Sequence, residues 1–241
     1  MGYEYQMNSI YVYCISEKLD ELVLTGINSL PIKMMQYNEL CIIYSSINKE
    51  IKYIEENFCA HENVLEELMK KDVTILPFRF GTYINEEDGK TILKEKYNIF
   101  FENINFLKGR VEISVRAIWN YSNVLKKVKN NFIAPQIGIS NEKIKNYLNK
   151  KMEDNKLKEC INQYAAIEAE KIHKLILDND FEGKYILLKT DSMFFNASYL
   201  VKKNKINDFS LKIQFVVSDF AEYKFLVTGP WPPYNFCNLL I

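Results

Sequence analysis

A chain of 241 residues, 48% hydrophobic and 14% aromatic, exceeds the roughly 100–150 residues of a typical single domain and has the apolar content for two modest cores. Lysine plus arginine and aspartate plus glutamate both total 31, so there is no net field to hold a polyphosphate backbone or an acidic membrane surface, and nucleic acid is excluded as the expected partner. Five scattered cysteines without a Cys-x-x-Cys pair, and only two histidines, exclude a zinc or multi-histidine centre.

In chain order, Met1 to Asn8 is polar and aromatic rather than basic and then apolar, so no leader is expected, and no run of about 18 apolar residues follows that would cross a membrane. Ser9 to Ser16 (SIYVYCIS) and Glu39 to Ser46 (ELCIIYSS), separated by the Leu30-Pro31 break, read as core strands. From Lys49 the spacing turns helical, with Ile51, Ile54, Phe58, Val64, Leu65, Leu68 and Met69 on an apolar face that ends at Lys70-Lys71. Val73 to Phe80 (VTILPFRF) is a predicted strand in which Pro77 favours an edge or a strand end. Glu86 to Asn105 is helical and stops at Leu107 and Gly109.

Arg110 to Trp119 (RVEISVRAIW) alternates as a strand, which sets a boundary near Lys108-Gly109 between domains 1–108 and 109–241. Asn141 to Asn179 carries two amphipathic stretches, one with Ile144, Leu148 and Met152, the next with Leu157, Ile161, Tyr164, Ala165, Ile172 and Leu175. They form one long helix or a hairpin bent near Asp154-Asn155. Tyr185 to Lys189 and Phe194 to Lys202 are strand-like, Asn207 to Phe220 helical, and Tyr223 to Val227 a last short strand. The order strand, helices, strand, strand, helix, strand matches a ferredoxin-like split β-α-β plan with helices on one face of an antiparallel sheet, so the fold class is α+β. Such a plan hosts many functions and names none.

Nucleotide-binding glycine motifs are missing, and only eight glycines occur, so no cofactor is expected. The cysteines, Cys14, Cys41, Cys59, Cys160 and Cys237, read as cytosolic thiols, mostly buried. Cys59, His61 and Glu66 lie close in sequence and raise a thiol-hydrolase reading. On a helix, however, His61 shares its face with Val64, Leu65 and Leu68, so the competing reading is a core or domain-interface histidine, with a partner contact as a third. Arg79 falls on the strand face opposite Leu76, Phe78 and Phe80, where a covered guanidinium would need a carboxylate, Glu66 first, and an uncovered one would meet a partner. Thr228 to Phe236 (TGPWPPYNF) is a stiff, extended run. Its Trp231, Tyr234 and Phe236 either pack back on the chain or anchor another protein at little entropic cost.

Gly229, Pro230, Trp231, Pro232, Pro233, Tyr234 and Phe236 spell Gly-Pro-Trp-Pro-Pro-Tyr-x-Phe, which resembles the closing signature of the gas-vesicle protein F/L family. The Tyr11-Val12-Tyr13 strand, the His61-x-x-Val64-x-Glu66 helix, the Leu76-Pro77-x-Arg79-Phe80-Gly81-Thr82 element and Asn196-Ala197-Ser198-Tyr199-Leu200-Val201 resemble that family in the same order, so the likeness spans nearly the whole chain. Cys14, where a small residue is common, and the short Asn238 to Ile241 end depart from it. The resemblance implies a two-domain α+β protein, the first domain a modified ferredoxin-like fold and the second an α+β unit with long helices. It also implies a non-enzymatic assembly factor or minor component of the gas vesicle. Such a protein works in the cytoplasm with the small hydrophobic shell protein and further gas-vesicle accessory proteins. A regulatory protein-binding module, and an enzyme using His61, Glu66 and Arg79, are the competing readings.

Overall fold

The computed structural model describes residues 9–48, 51–130, 142–177, 180–188, 190 and 192–237, without the side chains of 142–148. The expectations for Met1 to Asn8, for Asn238 to Ile241 and for the Ile144 and Leu148 side chains lie outside the described residues. Two compact units divide the chain, Met1–Glu112 together with Pro230–Ile241, and Ile113–Gly229.

In the first unit, β1 (Ser9–Glu17), β2 (Lys33–Tyr37), β3 (Leu40–Ser46), α1 (Glu55–Lys70), β4 (Ile75–Pro77), β5 (Tyr83–Asn85), α2 (Glu86–Glu95) and α3 (Tyr97–Leu107) follow one another. The sheet order is β2-β3-β1-β4, with β5 also on β1, and these pairings are antiparallel. A register shift between Val12 and Cys14 bulges β1. It lets Tyr11, Tyr13 and Cys14 enter one core with Cys41, Ile43 and the Val64, Leu65 and Leu68 face of α1. On the other sheet face Met35 meets α2, where a β-carbon on Gly89 would lie 3.5 Å from its sulfur. Helices therefore cover both faces of this sheet, and a loop with a 3-10 turn at Ile27–Ser29 stands between β1 and β2, where a ferredoxin-like plan has its first crossover helix.

Three local expectations change here. Helix α1 starts at Glu55, so its inward face is Asn57, His61, Val64, Leu65 and Leu68, while Ile54 and Phe58 are exposed. Cys59 is exposed for the same reason, and Cys160 and Cys237 are only half-buried, leaving Cys14 and Cys41 as the buried thiols. Of the Val73 to Phe80 run only Ile75–Pro77 is strand, ending at Pro77, which brings no N–H to a ladder, and a separate strand at Tyr83–Asn85, beyond that run, continues the same edge of β1. The bridging loop stays tied to β1 by Phe78 N–H on the Tyr13 carbonyl at 2.8 Å and Val12 N–H on the Thr82 carbonyl at 3.1 Å.

The second unit is built from β6 (Arg110–Ile118), α4 (Tyr121–Asn130), α5 (Glu142–Ile176), β7 (Phe181–Leu187), β8 (Met193–Lys202), α6 (Ile206–Asp219) and β9 (Lys224–Trp231). Its sheet order is β7-β8-β6-β9, so each sheet lays its second, third, first and fourth strands side by side, the ferredoxin-like order. Ile113, Val115 and Ala117 of β6 and Phe195, Ala197, Tyr199 and Val201 of β8 alternate into one core with α5 and α6. Helix α5 is a single helix through Asp154-Asn155. Its Ile161, Ala165, Ala169, Ile172 and Ile176 stripe enters the core, whereas Met152, the lone apolar side chain from Lys150 to Lys156, is exposed.

Candidate functional site

His61 projects from the buried face of α1 into the first unit, with its ring stacked on Tyr13 at 5.4 Å and edge-on to Tyr11 and Phe80. Its Nε2 lies 3.1 Å from the Phe78 carbonyl, an obligate acceptor, so Nε2 carries the proton. Nδ1 then accepts from the Tyr11 hydroxyl at 2.8 Å, and the Tyr11 oxygen accepts the Gly81 N–H at 3.3 Å. Burial, opposed by the Phe78 hydrogen bond, pushes the imidazole pKa down to about 4, so the ring is neutral at pH 7. Both ring nitrogens are thus spent within the chain, and neither Cys59 nor Glu66 is brought to them. His61 is a buried histidine whose ring nitrogens face Tyr11, Phe78 and Tyr234. The second unit repeats the pairing, with His173 Nδ1 2.9 Å from the Tyr199 hydroxyl.

The proline-rich tail comes back to the first unit. Tyr234 donates its hydroxyl proton to Glu62 at 2.8 Å and sits 3.4 Å from His61 Nε2. Burial raises the Glu62 carboxyl above its usual range, the Tyr234 hydrogen bond pulls it back down, and the neighbouring Glu66 raises it further. Asn235 donates its backbone N–H to one oxygen of buried Glu112 at 2.9 Å and its side-chain N–H to the other at 2.6 Å. Pro232 and Pro233 are buried and Phe236 is buried at 7% exposure, while Tyr234 N–H and Phe236 N–H close turns onto the Pro232 and Pro233 carbonyls. Gly229 and Pro230 are exposed, and Gly229 holds φ +127, a conformation that favours glycine. Tyr234 and Phe236 are therefore engaged by the chain itself, and Trp231, 39% exposed, is the aromatic ring the tail presents to solvent.

Arg79 and Glu66 form no ion pair. The strand ends at Pro77, two residues earlier, so strand parity does not govern Arg79. It sits exposed in the following loop, with the Thr82 hydroxyl on its carbonyl at 2.7 Å. Glu62, Glu112 and Asn235, the groups that fix the tail, were not foreseen. The legible signal was a carboxylate inside the alternating apolar run Arg110 to Trp119, a charge that burial obliges to find donors. Among the described residues no helix is long and apolar enough to cross a membrane.

Residues 9–238 match the family profile described as gas vesicle synthesis protein GvpL/GvpF. Gas vesicle protein F1 of Halobacterium salinarum is 25% identical over 239 residues, a match covering 97% of this chain and 94% of that protein. Gas vesicle protein F of Dolichospermum flosaquae is 24% identical over 252 residues, covering 95% and 98%. Among solved structures, the fold is similar to that of gas vesicle protein GvpF from an Anabaena species, with a TM-score of 0.75, 21% identity, and coverage of 97% of this chain and 99% of that one.

Proposed function

Because this chain belongs to the gas vesicle synthesis protein GvpL/GvpF family, we propose that it is a non-catalytic cytoplasmic assembly factor or minor vesicle component that binds the small hydrophobic shell protein. A shell subunit with an apolar gas-facing side aggregates unless that side is covered until it joins the wall. Trp231 carries the reading. It is an exposed indole on a segment whose next five residues are already fixed by burial and hydrogen bonds, so docking onto it orders little new chain. The arginine of the Phe78 to Thr82 loop is a second exposed group open to partners, including other gas-vesicle accessory proteins.

Co-purification of tagged chain with the shell protein, wild type against Trp231→Ala, tests the proposal once near-ultraviolet circular dichroism has shown both folded. Capture by the wild type and loss of about tenfold or more in the variant is the expected result for an anchor of this kind. Equal capture by both assigns the shell contact to another surface. No capture by the wild type, with shell aggregation unchanged in its presence, overturns the proposal.

A further inference from the structure

The Phe80-Gly81 element does more than close the core. The Phe80 ring lies 6.1 Å from Tyr11 and 5.9 Å from His61 on its inner side, and 5.2 Å from Tyr53 and 5.7 Å from Phe58 on its outer side. Tyr53 is 75% exposed, Phe58 51% and Ile54 45%, so a buried, hydrogen-bonded cluster continues through Phe80 into a contiguous aromatic surface. The loop is shaped to hold that surface. Gly81 takes φ +83, and a β-carbon there would come 2.3 Å from the Tyr53 hydroxyl, so only glycine lets the exposed ring lie against the backbone. A large apolar group is normally left in water singly; three exposed ones, two of them packed on the half-buried Phe80 that joins them to the core, form a patch of the sort that marks an interaction site.

The charge beside the patch states what fits it. Phe58 is flanked on α1 by Glu55 one turn before and Glu62 one turn after, with Glu66 a further turn along the same side. Among the described residues Lys52 and Arg79, both exposed, are the cations adjoining Tyr53 and Phe80 in sequence, and the carboxylates of α1 outnumber them. An anionic lipid surface would be repelled by that rim, whereas a polypeptide with lysines or arginines flanking apolar side chains would be drawn to it.

We infer that the Tyr53, Ile54, Phe58 and Phe80 patch is a docking site for a basic amphipathic segment of a partner protein, its apolar side chains on the rings and its cations along the Glu55 and Glu66 side of α1. The inference is read by variants at Tyr53 and Phe58 and the shell-protein proposal by one at Trp231, so the failure of one leaves the other standing. Fluorescence anisotropy of a labelled leucine–lysine amphipathic helix, titrated with the full chain, is the test, with a leucine–glutamate helix as the control. The basic helix binds at least about tenfold more tightly than the acidic one, weakens with added salt, and loses about tenfold in Phe58→Ser or Tyr53→Ser. Both positions are exposed, so unchanged thermal melting certifies that the variants fold. Glu55→Gln with Glu66→Gln lowers affinity for the basic helix and leaves its residual binding less sensitive to salt. Equal affinity for the two peptides, no binding of the basic one, or binding indifferent to Phe58→Ser overturns the inference.

Discussion

His61 decides how the first unit responds to acid. Its neutral ring accepts from Tyr11 and donates to Phe78, and a second proton at Nδ1 would set two donors against each other in a buried site. With a folded pKa of about 4 against an ordinary 6.5, the unfolded chain takes up a proton that the folded chain refuses, so stability is full above about pH 6.5 and falls as pH drops toward 4. The loss from this group reaches about 3 kcal/mol at most, since each pKa unit is worth about 1.4 kcal/mol. Burial raises the Glu62 carboxyl, which acts in the opposite sense, so the useful quantity is a difference. His61→Gln keeps one donor and one acceptor without the titration. Urea midpoints of wild type and variant, followed from pH 7.5 to 4.5, converge as pH falls; parallel curves would place the proton elsewhere.

At the scale of elements, the tail is a strap whose worth comes from what it satisfies as much as from what it buries. Asn235→Ala would remove the side-chain donor from Glu112, a carboxylate 3% exposed, and leave one of its oxygens under-served. That change costs about 2 kcal/mol, whereas truncating a half-buried surface side chain of similar size costs a few tenths. Chemical denaturation reads the difference directly. Strands such as β1, β6 and β8 were legible because their alternation is dense and their cores are deep. β2, with Lys33, Met34, Met35, Gln36 and Tyr37, was not, since it has no β-branched residue and is recognised only by pairing with β3 across the turn at Asn38, φ +51. The same limit applies to the site. The Gly-Pro-Trp-Pro-Pro-Tyr run was visible as a stiff aromatic segment, but its anchors lie far off in the chain. Glu62 and Glu112 reach Tyr234 and Asn235 across separations of 172 and 123 residues, which no local pattern encodes.

For the whole molecule, the order of the chain has an unequal consequence for the two units. Ile113–Gly229 is continuous, whereas the other unit needs Met1–Glu112 and the returning Pro230–Ile241. A fragment ending at Glu112 would keep β1 to β5 and all the helices around them, but would leave His61, Glu62 and Glu112 facing the place where Tyr234 and Asn235 belong. Buried carboxylates without donors are among the costlier defects a fold can carry. The first unit therefore reaches its final stability only after the last residues of the chain are available, a closure that spans 172 residues at the Glu62–Tyr234 hydrogen bond. Truncation after Gly229 tests this with one variant and two local probes. Trp119, stacked at 4.5 Å on Phe194 in the second unit, keeps its near-ultraviolet dichroism, while amides of β1 such as Val12 and Ile15 exchange about tenfold faster or more. Adding Pro230–Ile241 back as a peptide restores their protection if the strap acts by satisfying the first unit. Uniform loss of signal in both units would show instead that the tail supports the chain as one cooperative body.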